Sequence, residues 1–581
     1  MKVVIAKKAG FCMGVRRAVD LTLDLVNKGE ANITTFGPLI HNPQVLEVLG
    51  DKGVRILREI PEQASGTVII RAHGVPPEHK ERLKGSGLMV KDATCPRVLK
   101  VQAIINKHRK LGKTTVIIGD RNHAEVDGLM GYAGQDCAVI SNEAEAEALR
   151  LSKPYIIVCQ TTQDERFFEK ITGIITGHCP GGEVFNTICD STHRRQEEVR
   201  NLCQQVEAVV VVGGKTSANT TRLAEIAGGL GRPVFLIESE EELDEGALRR
   251  FDCVGVTAGA STPTWMINRV VRALEAIPGR RDNRLANALF RLTRLTLVSN
   301  LYVSLGGGLL APVCSLLQGI PPRLSQGIIA FCYLFAMHNI NHLSDQQAKI
   351  FDDPVTLQFS CKYRHTMMIL ATIALFLGLG LAIQDGWRAW LVLLVMSGFG
   401  VLYRIRFIPQ ALATRIKVTR LKEIPGSKTL FVALAWAMVV ILLPALHHQA
   451  TVTIKTASLM LFILLLVFVR NALFDIFQVQ GDRIMGRETL PVLLGAEKTI
   501  TVLLTILTVL LLLLLVVYPL AGLIVLPLGY WLLPGLLYLI TFTLLYRRGY
   551  WSPGVKLEFG LETTFLLIAA SVWGGVALGG G

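Results

Sequence analysis

Up to about residue 285, short β-branched runs such as "VVIA", "TVII" and "AVVVV" alternate with stretches whose apolar residues recur at helical spacing. That alternation predicts an α/β fold with parallel strands. Beyond it the pattern changes to long apolar runs with short basic breaks. Nine runs are long enough to cross a bilayer, near 296–316, 323–338, 366–384, 388–404, 429–446, 455–470, 499–517, 522–546 and 559–578. The second half is therefore expected to be an all-α polytopic bundle of about nine helices.

Within the first half one arrangement recurs. A strand runs into a cysteine that stands where a helix begins: "VVIAKKAGFCMGV", "LMVKDATCPRVL" and "EVFNTICDSTHRR". The cysteines are Cys12, Cys95 and Cys189, and Pro96 follows Cys95 at the first helical position, which suits proline. About 28 to 30 residues after each cysteine a second strand ends in a polar loop, carrying His41, then His123 and Glu125, then Ser217 and Asn219. A third strand ends in loops with His73, then Thr161 and Thr162, then Ser261. The repeat predicts three similar lobes rather than a solenoid. Ligands of parallel α/β sheets bind beyond the carboxyl ends of the strands, so nine loops would line one central cavity.

Three thiolates with no C-x-x-C pair make a poor structural zinc site. They suit a cubane iron–sulfur cluster with one iron left open as a Lewis acid. A helix N-terminus behind each cysteine favours the thiolate. The histidines, hydroxyls and helix N-termini of the other loops form a lining for a diphosphate. Glu125 is the one carboxylate among them and is placed as a proton donor. Taken singly, each cysteine would read as a small buried apolar residue, as Cys137, Cys159, Cys179, Cys203 and Cys253 do; recurrence at three matching places reverses that reading.

The chain has 581 residues, is 51% hydrophobic and carries a formal charge of +14. Much of the basic charge lies between apolar runs, where the positive-inside rule accounts for it, so no nucleic-acid partner is expected. The 11 cysteines are scattered, which argues against a secreted disulfide framework, and the N-terminus lacks the apolar core of a signal peptide. Loops 339–365, 405–428, 471–498 and 547–558 hold most of the Lys and Arg. They are expected in the cytoplasm together with the first half, in a bacterial-type inner membrane.

The motifs "GFCMGV", "HNPQV", "AHGV", "DATCP", "NHAEV", "QTT", "TICDST" and "TAGAS" resemble the LytB/IspH family of 4-hydroxy-3-methylbut-2-enyl diphosphate reductases, over residues 1–278. The resemblance implies a three-lobed, pseudo-symmetric fold around a [4Fe–4S] cluster held by Cys12, Cys95 and Cys189. It implies reductive dehydroxylation of the allylic diphosphate to isopentenyl and dimethylallyl diphosphates, with electrons from a ferredoxin or flavodoxin. By position, His41, His73, His123, Ser217, Asn219 and Ser261 would hold the diphosphate, Thr161 would orient the hydroxyl and Glu125 would deliver the proton. Ala218 stands where the family often has serine, leaving a backbone N–H to donate. An iron–sulfur redox sensor without substrate is the competing reading; it has no use for Glu125 as a proton donor.

Residues 279–295 read as a basic linker, its last part an interfacial amphipathic segment. In the second half, "LKEIPGSKTLFVALAWA" and "DIFQVQGDRIMGRETLPVLLG" resemble the UbiA-type membrane prenyltransferases, over residues 296–581. That family's first N-D-x-x-D-x-x-x-D cluster reads here Asn341, His342, Asp345, Lys349, and the second keeps Asp475 and Asp482 but has Gln478 between them. A seven-residue spacing on one helix would put Asp475 and Asp482 on one face, suited to Mg²⁺ bridging to a diphosphate. Asp352 and Asp353, with Arg420 or Lys428 on the third basic loop, could supplement that site. If the eroded motifs have cost the transferase chemistry, the bundle is an anchor or prenyl-lipid binder.

Overall fold

The computed structural model describes residues 1–280, 284–344, 354–402, 427–447, 452–523, 528–551 and 554–578. The chain divides into two compact units, Met1–Asp282 and Asn283–Gly581.

The first unit contains twelve short strands: β1 (Lys2–Ile5), β2 (Ile33–Phe36), β3 (Arg55–Leu57), β4 (Thr67–Ile70), β5 (Met89–Asp92), β6 (Thr114–Ile118), β7 (Cys137–Ile140), β8 (Tyr155–Cys159), β9 (Glu183–Val184), β10 (Ala208–Val212), β11 (Val234–Ile237) and β12 (Cys253–Ala258). They form three four-stranded sheets, in the orders β3-β2-β4-β5, β7-β6-β8-β9 and β11-β10-β12-β1, and every pairing is parallel. Their apolar character follows from burial on both faces. Val254 and Val256 pack with Ile267, Val270 and Leu274 of helix Thr264–Ala276. Ile118 and Ile157 pack with Phe168 and Ile171 of helix Glu165–His178.

Three similar sheets are present, but their membership differs from the sequence repeat. The repeat places each cysteine strand at the start of its own lobe. In the structure the strand before Cys95, β5, pairs with β4 of the preceding sheet, and the strand before Cys189, β9, pairs with β8. The strand before Cys12, β1, pairs with β12, the last strand of the unit, with Lys2 opposite Cys253. Each lobe is thus one strand out of phase with the repeat, and the N-terminal strand completes the last sheet.

In the second unit each of the nine expected apolar runs is mostly helical where described, with the first broken at Ser299 and Asn300 and the eighth helical only from Leu528. Among the described residues six helices are long and apolar enough to cross a membrane: Arg364–Asp385, Ser427–Leu446, Ile454–Phe477, Ala496–Leu520, Leu528–Arg547 and Val555–Ala577. Leu285–Val298 and Leu301–Leu317 meet at 73° and make a seventh if they form one span. The count falls short of nine for two physical reasons. Leu324–Ser344 carries His338, Asn339, Asn341 and His342 in its second half, and Trp387–Leu402 has only 16 residues. The linker expected at 279–295 is largely helical, from Arg284. Trp436, Phe462, Phe542 and Phe565 are the largest side chains buried in this unit.

Candidate functional site

Each cysteine caps a helix: Cys12 before Met13–Asn27, Cys95 before Pro96–Lys110 and Cys189 before Asp190–Cys203. The Cys12 sulfur accepts from the Val15 N–H at 3.4 Å, as an N-cap side chain should. One backbone bond recurs in all three sheets. The N–H of Cys12 donates to the Ala260 carbonyl at 3.1 Å, that of Cys95 to Ala72 at 2.9 Å, and that of Cys189 to Thr161 at 2.9 Å. Every cysteine is thereby locked to the loop on the adjacent strand that carries Ser261, His73 or Thr161.

The three thiols converge from three sheets. Burial pushes the Cys95 thiol up, and charge on Cys12 or Cys189 pushes it further, so all three lie within electrostatic reach. A Cβ on Gly14 would stand 2.5 Å from the Cys95 sulfur, so only glycine lets helix Met13–Asn27 approach so closely. Among the described residues, the group gathered at the spacing of a single ion's ligands is His41, His73 and His123, not the cysteines. Thiols spaced wider than that, yet sensing one another, fit a multi-iron cluster better than a lone zinc. Beside them lies Arg195, a buried guanidinium whose Nε has no hydrogen-bond partner. An anionic cluster is the kind of group that such a cation can face.

Next to the thiols stand three imidazoles, one from β2's loop, one from β4's and one from β6's. Their ring centroids are 4.8 Å (His41–His73), 5.5 Å (His41–His123) and 5.3 Å (His73–His123) apart. Nδ1 of His123 accepts the Glu125 N–H at 3.1 Å, which leaves its Nε2 to carry the proton of the neutral ring. Nε2 of His41 and Nδ1 of His73 are buried without a partner. Burial first, and then Arg71, lowers the His41 pKa. Burial, then His41 and His123, then Arg71, hold His73 well below the usual imidazole range. Burial and the neighbouring His41 bring His123 to about 4 against the pull of Asp120. All three rings are neutral at pH 7 with nothing bound.

The serine side of the site comes from the sheet containing β10 and β12. Ser261 Oγ donates to the His41 carbonyl at 3.0 Å, with Ser217 Oγ 3.4 Å away. Ser217 precedes helix Ala218–Gly229 but its side chain does not cap it, so the first-turn N–H groups, Ala218 included, lack an intrahelical partner. Asn219 Nδ2 is buried without a partner.

Glu125 is only 1% exposed. Its carboxylate accepts the Thr161 N–H at 2.7 Å and the Thr161 hydroxyl at 2.9 Å. Burial raises its pKa to about 7, against the Thr161 bonds that lower it, so a large share is protonated at neutral pH. It is not the sole acid near the site, because Asp120 lies close enough to raise Glu125 and His123 alike.

The expected residues of the first unit are thus brought together. Besides Asp120, two charged groups escaped the sequence reading. Arg71 stands two residues before His73, and Arg195 six after Cys189; charge so near a motif residue was the available signal. The buried apolar role expected of five further cysteines holds for Cys159, Cys179 and Cys203, while Cys137 and Cys253 are half-buried.

In the second unit Asp475 and Asp482 do not share one helix, although Asp482 feels the Asp475 charge. Helix Ile454–Phe477 stops at Gln478, and a separate helix, Val479–Ile484, carries Asp482. Asp475 accepts from the Thr429 hydroxyl at 2.6 Å, and Asp482 Oδ2 is buried without a partner. Asn341 Oδ1 is likewise buried and unpaired. Asp345, Lys349, Asp352, Asp353 and Arg420 lie outside the described residues. Nearby in sequence, Arg470 forms a buried ion pair with Glu562.

Residues 3–275 match the family model described as LytB protein, and residues 361–554 that of the UbiA prenyltransferase family. Over 272 residues the chain is 39% identical to the 4-hydroxy-3-methylbut-2-enyl diphosphate reductase of Syntrophotalea carbinolica, covering 47% of this chain and 97% of that protein. The reductase of the same name from Geobacter sulfurreducens is 41% identical over 285 residues, 48% of this chain and 99% of that protein. A solved (E)-4-hydroxy-3-methyl-but-2-enyl diphosphate reductase is 39% identical, covering 48% of this chain and 100% of the other, with a TM-score of 0.38.

Proposed function

The chain belongs to the LytB family through residues 3–275, and from that premise we propose that its first unit is a 4-hydroxy-3-methylbut-2-enyl diphosphate reductase. The carrying observation is the buried Glu125–Thr161 pair, standing between three facing histidines and three converging thiols. The substrate gains two electrons and two protons. Its C–O bond breaks, the hydroxyl leaves as water with one proton, and the second proton goes to carbon, giving isopentenyl or dimethylallyl diphosphate.

Cys12, Cys95 and Cys189 would hold a [4Fe–4S] cluster, which supplies one-electron reduction and Lewis acidity when bound. His41, His73 and His123, with Ser217, Asn219, Ser261 and the N–H groups from Ala218 onward, hold the diphosphate. Neutral imidazoles take up protons as that anion enters, which strengthens the grip. Thr161 orients the substrate hydroxyl, and Glu125, poised near neutrality, delivers its proton through Thr161. A small iron–sulfur or flavin carrier such as ferredoxin or flavodoxin brings the electrons.

The apolar helices of the second unit support a membrane-attached reductase, and the positive-inside rule favours a cytoplasmic side for the Lys- and Arg-rich loops and the first unit. It transfers prenyl groups if Asn341, Asp475 and Asp482 gather Mg²⁺ with a prenyl diphosphate. Gln478 at the helix break and the Thr429 bond to Asp475 favour the other reading, a non-catalytic anchor or prenyl-lipid binder.

Anaerobic purification with iron and sulfide quantification, followed by turnover of the hydroxylated allylic diphosphate, tests the first reading. A protein that holds no iron, or that holds a cluster and leaves this substrate unchanged, would refute it. Membranes supplied with labelled prenyl diphosphate, Mg²⁺ and quinone or aromatic acceptors separate the two readings of the second unit.

A further inference from the structure

We propose that Arg195 is the built-in countercharge of the iron–sulfur cluster and favours its reduced form. The inference rests on the cluster reading above and concerns a residue that binds neither the metal nor the substrate.

Arg195 projects from helix Asp190–Cys203, which Cys189 caps, and is 5% exposed. One Nη donates to the carbonyl of Gly10 at 2.5 Å, in the loop leading to Cys12 and 185 residues away in sequence. The other donates to the Ser191 carbonyl at 3.2 Å and to the Ser191 hydroxyl. The Nε has no acceptor. Every acceptor is neutral. Among the described residues no carboxylate comes within ion-pair distance. Glu198 is the nearest in influence, and its two oxygens are already taken by the backbone N–H groups of Lys7 and Lys8, at 2.6 and 2.8 Å.

A buried guanidinium without a counter-ion is costly and persists only where an anion comes to face it. The groups it senses first are Cys12 and Cys189, two of the three thiols. A cluster on three thiolates is net negative, and reduction adds one more negative charge at the same place. A fixed cation beside it therefore stabilises the reduced form more than the oxidised one, and charge near a cluster is one of the levers on its potential. The plainer alternative is that Arg195 only ties the Gly10 loop to the helix. Lysine keeps the charge without the planar fork, whereas glutamine keeps hydrogen bonding without the charge, so the two variants separate the roles.

The test uses the full chain, purified anaerobically in detergent, with iron and sulfide counted per chain. Each sample is then titrated with dithionite through redox mediators, the reduced cluster being followed by electron paramagnetic resonance. In Arg195→Gln the ratio of reduced to oxidised cluster at the wild-type midpoint falls about tenfold, a shift of about 59 mV to more negative potential for one electron. Arg195→Lys stays near the wild-type midpoint. Loss of iron from the glutamine variant but not the lysine variant also supports a countercharge. An iron-loaded glutamine variant at the wild-type midpoint overturns the proposal, as do equal shifts in both variants or iron loss from both. A wild-type chain without iron would instead refute the cluster reading itself.

Discussion

The N–H of Cys189 donates to the carbonyl of Thr161 at 2.9 Å, while the Thr161 hydroxyl donates to Glu125 at the same distance. A cysteine and a buried acid are thus joined through one threonine, main chain on one side and side chain on the other. The two functions are separable, because replacing the acid leaves the backbone link untouched.

Glu125→Gln is expected to lower turnover about 100-fold or more while leaving iron content and cluster absorbance unchanged. It should also change how stability depends on pH. The folded-state pKa of Glu125 is raised to about 7, so the stability tied to its protonation is fully present below 4.5 and is lost as pH rises through 7. At pH 9 the variant should gain about 3 kcal/mol relative to the wild type. Hydrogen exchange of first-unit peptides in the full chain measures this.

The histidine triad has the opposite sign. Its folded pKa values are depressed, so the stability it contributes is present above 6.5 and is lost as pH falls below that, with the His123 share lost through about 4. Calorimetric titration with inorganic diphosphate at pH 7, in buffers of different ionisation enthalpy, should show net proton uptake on binding. His123→Asn should reduce that uptake; an unchanged value would rule out the triad as the proton acceptor.

Gly14→Ala drives a methyl group to within 2.5 Å of the Cys95 sulfur. The expected result is loss of iron together with about 1–3 kcal/mol of stability. Gly50→Ala, on helix Pro43–Asp51 with open space around it, is the control and should leave both unchanged.

In the second unit, Arg470→Met should cost roughly 3–5 kcal/mol by leaving Glu562 buried and unpaired. Replacing both by Met and Leu should recover most of the loss. Thermal unfolding in detergent reads the difference between the single and double variants.

The first unit's site was legible because its chemistry is local. A cysteine after a strand and before a helix, or a histidine in the loop between a strand and a helix, is defined by neighbours in sequence. The second unit was less legible. Its apolar runs were readable as helices, yet the polar second half of Leu324–Ser344 and the short Trp387–Leu402 kept the number of qualifying spans below nine among the described residues. Gln478 fell in what reads as one helical stretch, but the helix ends there, so Asp475 and Asp482 stand on two successive helices. Helix propensity alone does not reveal such a break.

By itself the amino-acid sequence determined which residue types stand at strand ends and helix starts: Cys12, Cys95 and Cys189, the three histidines, and Glu125 thirty residues after the second cysteine. It also determined that the second half is apolar enough for a bilayer. Only the tertiary structure decided which sheet each cysteine strand joins, and that β1 closes the last sheet against β12. Strand order is chosen by long-range packing of parallel neighbours, which leaves little trace in local periodicity. The same holds for Arg195: an arginine on a polar helix reads as solvated, and only the meeting of Gly10 with Ser191 around it makes it a buried charge.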